Sequence, residues 1–137
     1  MKPGLELNKW IAEHVMGWMK VKVPEGHHLR QFGYEWAWKE REGDLIINCQ
    51  KVMCYSTDIK AAWEVVEKIS AKGYDVLVHR GASGHGNVCI ISKRISGPFP
   101  LVDLVLHPSY LADSIREAAD TAPHAICLAA RKLMEEL

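Results

Sequence analysis

The chain has no excess of charge of either sign, since 17 Lys and Arg residues balance 17 Asp and Glu residues. Without a basic excess no overall field attracts nucleic acid, so we expect no generic nucleic-acid partner. The sequence also lacks a long apolar run and a signal peptide. It therefore predicts no membrane association and a cytoplasmic location.

The histidines and cysteines lack the spacings of common metal sites. The four cysteines form no dense framework, and neither CxxC nor HxxxH occurs. We predict reduced, buried thiols, no metal site and no cofactor. A zinc site assembled from residues far apart in the sequence is the alternative. The catalytic motifs GxSxG and HExxH are absent too, and the sequence therefore favours a protein that is not an enzyme.

Apolar residues, in contrast, are plentiful. They make up 48% of the chain, enough to fill a core without disulfides or metal. No repeat, linker or low-complexity tract divides the sequence. We predict a single domain over residues 1–137.

Three segments have the apolar periodicity of an amphipathic helix: residues 5–18, 55–69 and 121–137. In the middle segment the predicted buried face consists of Ile59, Ala62, Trp63, Val66 and Ile69. Trp63 and, in the last segment, Ile126 are predicted core residues.

Strands are predicted between the helices, at residues 45–49, 74–80 and 87–94, with residues 100–106 as a further strand and a helical turn or two within 109–120. The segments 74–80 and 87–94 flank a glycine-bearing connection and predict an antiparallel hairpin. Val88 and Ile90 alternate with Cys89 and Ile91, so both faces of that strand are apolar and require cover. The prediction is a three-layer α/β/α sandwich, a small, mainly antiparallel sheet covered by helices on both faces.

Two stretches, YSTDIKAAWEVVEKI at residues 55–69 and TAPHAICLAARK at residues 121–132, resemble the signature segments of the phage ABA-sandwich domain family. The resemblance implies an α/β sandwich fold and a phage or prophage origin. It implies no biochemical activity, because the role of these small proteins is unassigned.

An aromatic row lies outside those stretches. Tyr34, Trp36 and Trp38 alternate at period two and would share one face of a strand. The row could stack on bases or sugars, or it could be the core face of an edge strand. We favour the core interpretation, because aromatic residues are common in strands and no basic excess supports a nucleic-acid surface.

The connection GASGHG, residues 81–86, has the glycines of a phosphate-binding loop. Such a loop requires a helix after it, whereas a strand is predicted to follow, so we favour a wide hairpin turn. His79 before the connection and His85 within it remain weak binding candidates.

Two hypotheses follow from these observations. The first is a non-catalytic accessory protein of a phage or prophage that binds a phage or host protein, or a second copy of itself, through its surface. The alternative is a small enzyme or nucleotide-binding protein, with dispersed site residues around the loop from Gly81 to Gly86.

Overall fold

The computed structural model describes residues 1–40, 45–46, 54–81, 86–94 and 114–137. Its helices are α1 (Leu5–His14), α2 (His28–Gln31), α3 (Ile59–Ala71) and α4 (Ala122–Glu136). Its strands are β1 (Trp18–Lys22), β2 (Trp36–Glu40), β3 (Leu45–Ile46), β4 (Tyr74–Arg80), β5 (Asn87–Lys93) and β6 (Ile115–Ala119). The described helices and strands form an α/β protein.

The strands form two antiparallel sheets of three strands each, in the orders β1-β2-β3 and β4-β5-β6. The predicted hairpin is confirmed, because β4 pairs with β5 from Tyr74 opposite Lys93 to Arg80 opposite Asn87. β6 then pairs along the other edge of β5. This order makes β5 the central strand of its sheet.

The main core lies between the second sheet and the helices. α3 packs on β4 and α4, α4 packs on β5 and β6, and α1 packs on α4. Cys89, Ile91 and Ile115 supply the buried sheet side of this core. On the opposite face of β5, Val88 and Ile90 are buried as well. Both faces of the central strand are therefore shielded from solvent.

The first helix is shorter than predicted. It ends at His14, and Gly17 has a φ of +75° that few other residues adopt. The chain turns there, and Trp18 begins β1 opposite Glu40 instead of continuing the helix. Trp18 is buried as a strand residue, so its placement on the helix was wrong.

The buried face of α3 also differs from the prediction. Ile59 is 52% and Trp63 50% exposed, so neither is a core residue. Ala62, Val66 and Ile69 are buried as predicted, and Ala61 and Val65 complete the buried face in place of Ile59 and Trp63. This face of α3 packs against α4 and β4, while Ile59 and Trp63 lie on the side of the helix that faces solvent.

The C-terminal helix begins and packs as predicted. The Thr121 hydroxyl accepts a hydrogen bond from the His124 amide, and Pro123 lies in the first turn, where its missing N–H costs nothing. Ile126 is fully buried, which confirms its predicted core position. None of the described helices combines the length and apolar character needed to cross a membrane.

The segment before α4 was predicted wrongly where it can be compared. Ile115–Ala119 is strand β6, not a helical turn, because pairing with the edge of β5 outweighs its local helix propensity. Residues 109–113 lie outside the described part of the chain, as do the predicted strand at 100–106 and Cys49. Of the predicted strand at 45–49, Leu45–Ile46 is described and is a strand.

Candidate functional site

The structure divides the predicted aromatic row between core and surface. Trp38 is 4% exposed and belongs to the main core, whereas Trp36 at the start of β2 is 50% exposed. Tyr34 lies before the strand and is 47% exposed. The core interpretation therefore fits Trp38 but not Tyr34 or Trp36.

Phe32, which was not among the predicted site residues, is a third exposed aromatic residue in this part of the chain. It is the C-cap residue of α2 and is 74% exposed, more than Tyr34 or Trp36. In the sequence the period-two spacing of aromatic residues continues back to Phe32, but Phe32 and Tyr34 lie before the strand, so the spacing does not determine which way they face. We call Phe32, Tyr34 and Trp36 the aromatic surface.

Helix α2 and the strand ends hold the aromatic surface in place. The His27 imidazole accepts a hydrogen bond from the Leu29 amide at 3.3 Å, and the Tyr34 amide donates to the Leu29 carbonyl at 3.1 Å. Arg30 Nε donates to the Val23 carbonyl at 3.0 Å. Beneath these bonds Leu29 is fully buried in a small cluster with Val23 and Ala37. The exposed rings thus project from a base that is packed and hydrogen-bonded.

Two lysines flank the aromatic surface. Lys22 is directly opposite Trp36 in the β1–β2 register, so both side chains lie on the same face of the sheet. Lys20 Nζ lies 5.5 Å from the centroid of the Trp36 ring, within the range of a cation–π contact. Apolar rings and positive charge therefore occur together at this edge, although the whole chain is neutral.

The remaining predicted candidates lie elsewhere in the fold. His79 is exposed near the end of β4, on the sheet face away from the helices, with Nδ1 at 3.3 Å from the Arg80 carbonyl oxygen. His85 falls outside the described residues. The Gly81 amide donates to the Gly86 carbonyl, and β5 begins directly after Gly86. A strand following the loop matches the hairpin interpretation.

A second exposed apolar feature lies on α3. Ile59 and Trp63 are four residues apart, so they stand one above the other on the same side of the helix. Together with Lys60, Glu64 and Glu67 they line a shallow surface groove. We call this the α3 surface.

The buried thiols show no features of a reactive site. Cys89 and Cys127 are fully buried and unbridged, and Cys54, also unbridged, is partly buried. Burial raises the pKa of Cys89 to about 12, and burial together with the neighbouring Cys89 raises the pKa of Cys127 further. Within the described ranges, no three His, Cys, Asp or Glu side chains converge as metal ligands.

The described helices and the two small antiparallel sheets define a small α/β protein. Consistent with this class, a model of the phage ABA sandwich domain matches residues 9–97, more than half of the chain. The chain belongs to this family. The match includes the first signature stretch at residues 55–69 and ends before the second at 121–132. No curated protein and no solved structure matches the chain.

Proposed function

We propose that this protein is a non-catalytic accessory domain of a phage or prophage, and that it binds a phage or host protein in the bacterial cytoplasm through its aromatic surface. The observation that carries the proposal is the exposure of Phe32, Tyr34 and Trp36 within five residues of chain. Large aromatic side chains gain the most free energy from burial, and they are enriched in the centres of protein interfaces.

The rigid base of the surface supports the same proposal. Arg30 and the Leu29 backbone fasten α2 to the strand ends, so the rings lose little conformational freedom on binding. Lys20 and Lys22 beside Trp36 favour a partner segment that combines apolar groups with acidic side chains. Charge complementarity of this kind sets orientation and association rate more than affinity.

The three-layer arrangement of one domain over residues 1–137 is part of the proposal. The main core joins residues from Leu7 in α1 to Leu133 in α4, which supports a single folding unit. Burial of Val88 and Ile90 on the second face of β5 supports a further covering layer. A single unfolding transition, coincident by fluorescence and circular dichroism, is the expected behaviour of such a domain.

Substitution of exposed tryptophans tests the aromatic surface directly. Binding partners are recovered from phage-infected and uninfected host cells by cross-linking to the parent protein, and the purified partner is then titrated against variants. Trp36→Ala should weaken the complex at least about tenfold, as expected for a central aromatic residue.

Trp63→Ala is the matched control, because Trp36 and Trp63 are both 50% exposed and lie on different elements. It should leave the affinity for that partner unchanged. Equal losses from both variants, or a partner retained by Trp36→Ala, would contradict the assignment of the aromatic surface.

A further inference from the structure

We infer that the α3 surface binds a second copy of this chain, with the two α3 helices packed antiparallel about a two-fold axis at Trp63. The α3 surface is separate from the aromatic surface and does not depend on the proposed function. Its apolar centre is formed by Ile59 and Trp63, which are both about half exposed. A two-fold axis beside Trp63 brings the two indole rings together and removes both from water.

The charges along α3 identify the occupant as a second copy. Lys60 and Glu67 are seven residues apart, two helical turns, and so they lie on the same flank of Trp63. When two such helices pack antiparallel around Trp63, Lys60 of one copy lies opposite the partner's Glu67. By symmetry the same pair forms a second time. Lys60 and Glu67 are therefore complementary in charge to their own symmetry mates, as an isologous interface requires.

The size of the surface sets the expected strength. A standard interface buries about 800 Å² on each partner, and the face of one 13-residue helix supplies only part of that. Association is therefore expected in the micromolar range or weaker. The neutral net charge of the chain leaves this contact unopposed by long-range repulsion.

Charge reversal tests both the contact and its geometry. In Lys60→Glu and in Glu67→Lys, each homodimer would contain two like-charge contacts, so each variant should dimerise roughly tenfold more weakly than the parent. An equimolar mixture of the two variants should recover the dimer, because the introduced glutamate of one chain then faces the introduced lysine of the other, while the remaining pair keeps its native charges. The double variant Lys60→Glu, Glu67→Lys should recover it as well.

Neither substitution is expected to unfold the monomer. Lys60→Glu places a negative charge in the first turn of α3, and Glu67→Lys places a positive charge nearer its C-terminus, so both signs suit the helix dipole. Thermal melts of the variants therefore serve as the folding control. Glu136→Lys in α4 is the matched control for a charge reversal away from α3, and Trp36→Ala is the control for loss of an exposed indole. Both should dimerise like the parent.

Sedimentation velocity from about 1 to 500 μM covers the range in which a weak interface becomes populated. The expected result is a concentration-dependent dimer for the parent, a dimer that forms only at roughly tenfold higher concentration for each single variant, and dimerisation close to that of the parent for their mixture. A parent protein that stays monomeric over the whole range would overturn the inference. So would single variants that dimerise like the parent, or a mixture that stays monomeric.

Discussion

Gly86 allows the backbone of the β4–β5 connection to lie against β6. Its φ of +64° is in the left-handed region, and a Cβ at this position would overlap the backbone carbonyl of Ala119. The neighbouring Asn87 side chain donates a hydrogen bond from Nδ2 to the Asp120 carbonyl at 3.0 Å. Glycine is therefore needed at position 86 because two backbone segments lie close together there. This explanation for the glycine does not involve phosphate binding.

Gly86→Ala should lower the free energy of unfolding by about 2–4 kcal/mol, because left-handed strain and a backbone clash add together. Gly33→Ala is the matched control, since Gly33 has a φ of +85° but open space where a Cβ would be. It should cost only the strain, about 1–2 kcal/mol. Urea denaturation measures both values, and equal losses would show that the contact with Ala119 is unimportant.

Burial of the Cys89 thiol makes the stability of the folded protein depend on pH. Its thiol pKa is raised from about 9 to about 12 by burial, so the folded state stays protonated where the unfolded thiol ionises. Below the unfolded pKa both states hold the proton and Cys89 contributes no pH dependence. As pH rises from about 9 toward 12 its contribution to stability is progressively lost.

Cys89→Ala should therefore lose stability less steeply than the parent between about pH 8.5 and 10.5, in urea denaturation measured at several pH values. Comparison with the parent removes the effect of tyrosines and lysines that titrate in the same range. Parallel pH profiles for the two proteins would mean that the Cys89 thiol is not desolvated in the folded state.

At the scale of elements, α3 is held to α1 by a buried polar contact. Asn8 Oδ1 accepts hydrogen bonds from the Ser56 amide and the Ser56 hydroxyl, both at 2.7 Å, and the hydroxyl oxygen accepts one from the Gly4 amide at 2.9 Å. Asn8 and Ser56 are both buried. The contact fixes the start of α3 relative to the first turn of α1.

Asn8→Ala removes the acceptor for two buried donors and should lower the free energy of unfolding by about 1–3 kcal/mol. Thr57→Ala is the neighbouring control, because the exposed Thr57 hydroxyl makes only a long bond of 3.5 Å to the Cys54 carbonyl. Thermal or chemical denaturation should leave that variant near the parent. A neutral Asn8→Ala would show that water replaces the lost acceptor.

The exposed and buried positions of the helices differ in their expected response to truncation. Ile126→Ala should cost about 2–5 kcal/mol, because it leaves a cavity in the core. Trp63→Ala should cost about 1 kcal/mol or less in the monomer, because the indole is half exposed. Denaturation at low protein concentration measures both. A large loss for Trp63→Ala would restore the original assignment of that residue to the core.

At the scale of the whole molecule, charge neutrality limits the partners. Because few counterions can be released, binding to generic single- or double-stranded oligonucleotides should be weaker than about 100 μM at physiological salt. Fluorescence anisotropy with labelled oligonucleotides tests this. Tight binding with a steep salt dependence, lost in Trp36→Ala, would instead identify the aromatic surface as a platform for stacking bases.

The sequence alone was sufficient wherever local pattern and tertiary packing agree. The cap and apolar stripe of α4, the existence of α3 and the pairing of β4 with β5 all follow from residues close together in the chain. The same holds for net charge, which is a sum over residues and needs no fold. The family assignment also required only the sequence.

Tertiary structure decided which of several apolar faces is buried. Trp63 and Val65 are both apolar, but the rest of the chain packs against the face of α3 that carries Val65 and leaves the Trp63 indole half exposed. Ile115–Ala119 is a strand because it forms hydrogen bonds with the edge of β5. The local sequence contains no signal for this pairing. Period two placed Trp36 and Trp38 on one face, but only the packing of Trp38 into the main core separated it from Trp36, which stays half exposed beside Lys20. The periodicity of a sequence shows which side chains share one face of a helix or strand. Whether that face is buried depends on which other elements of the chain pack against it.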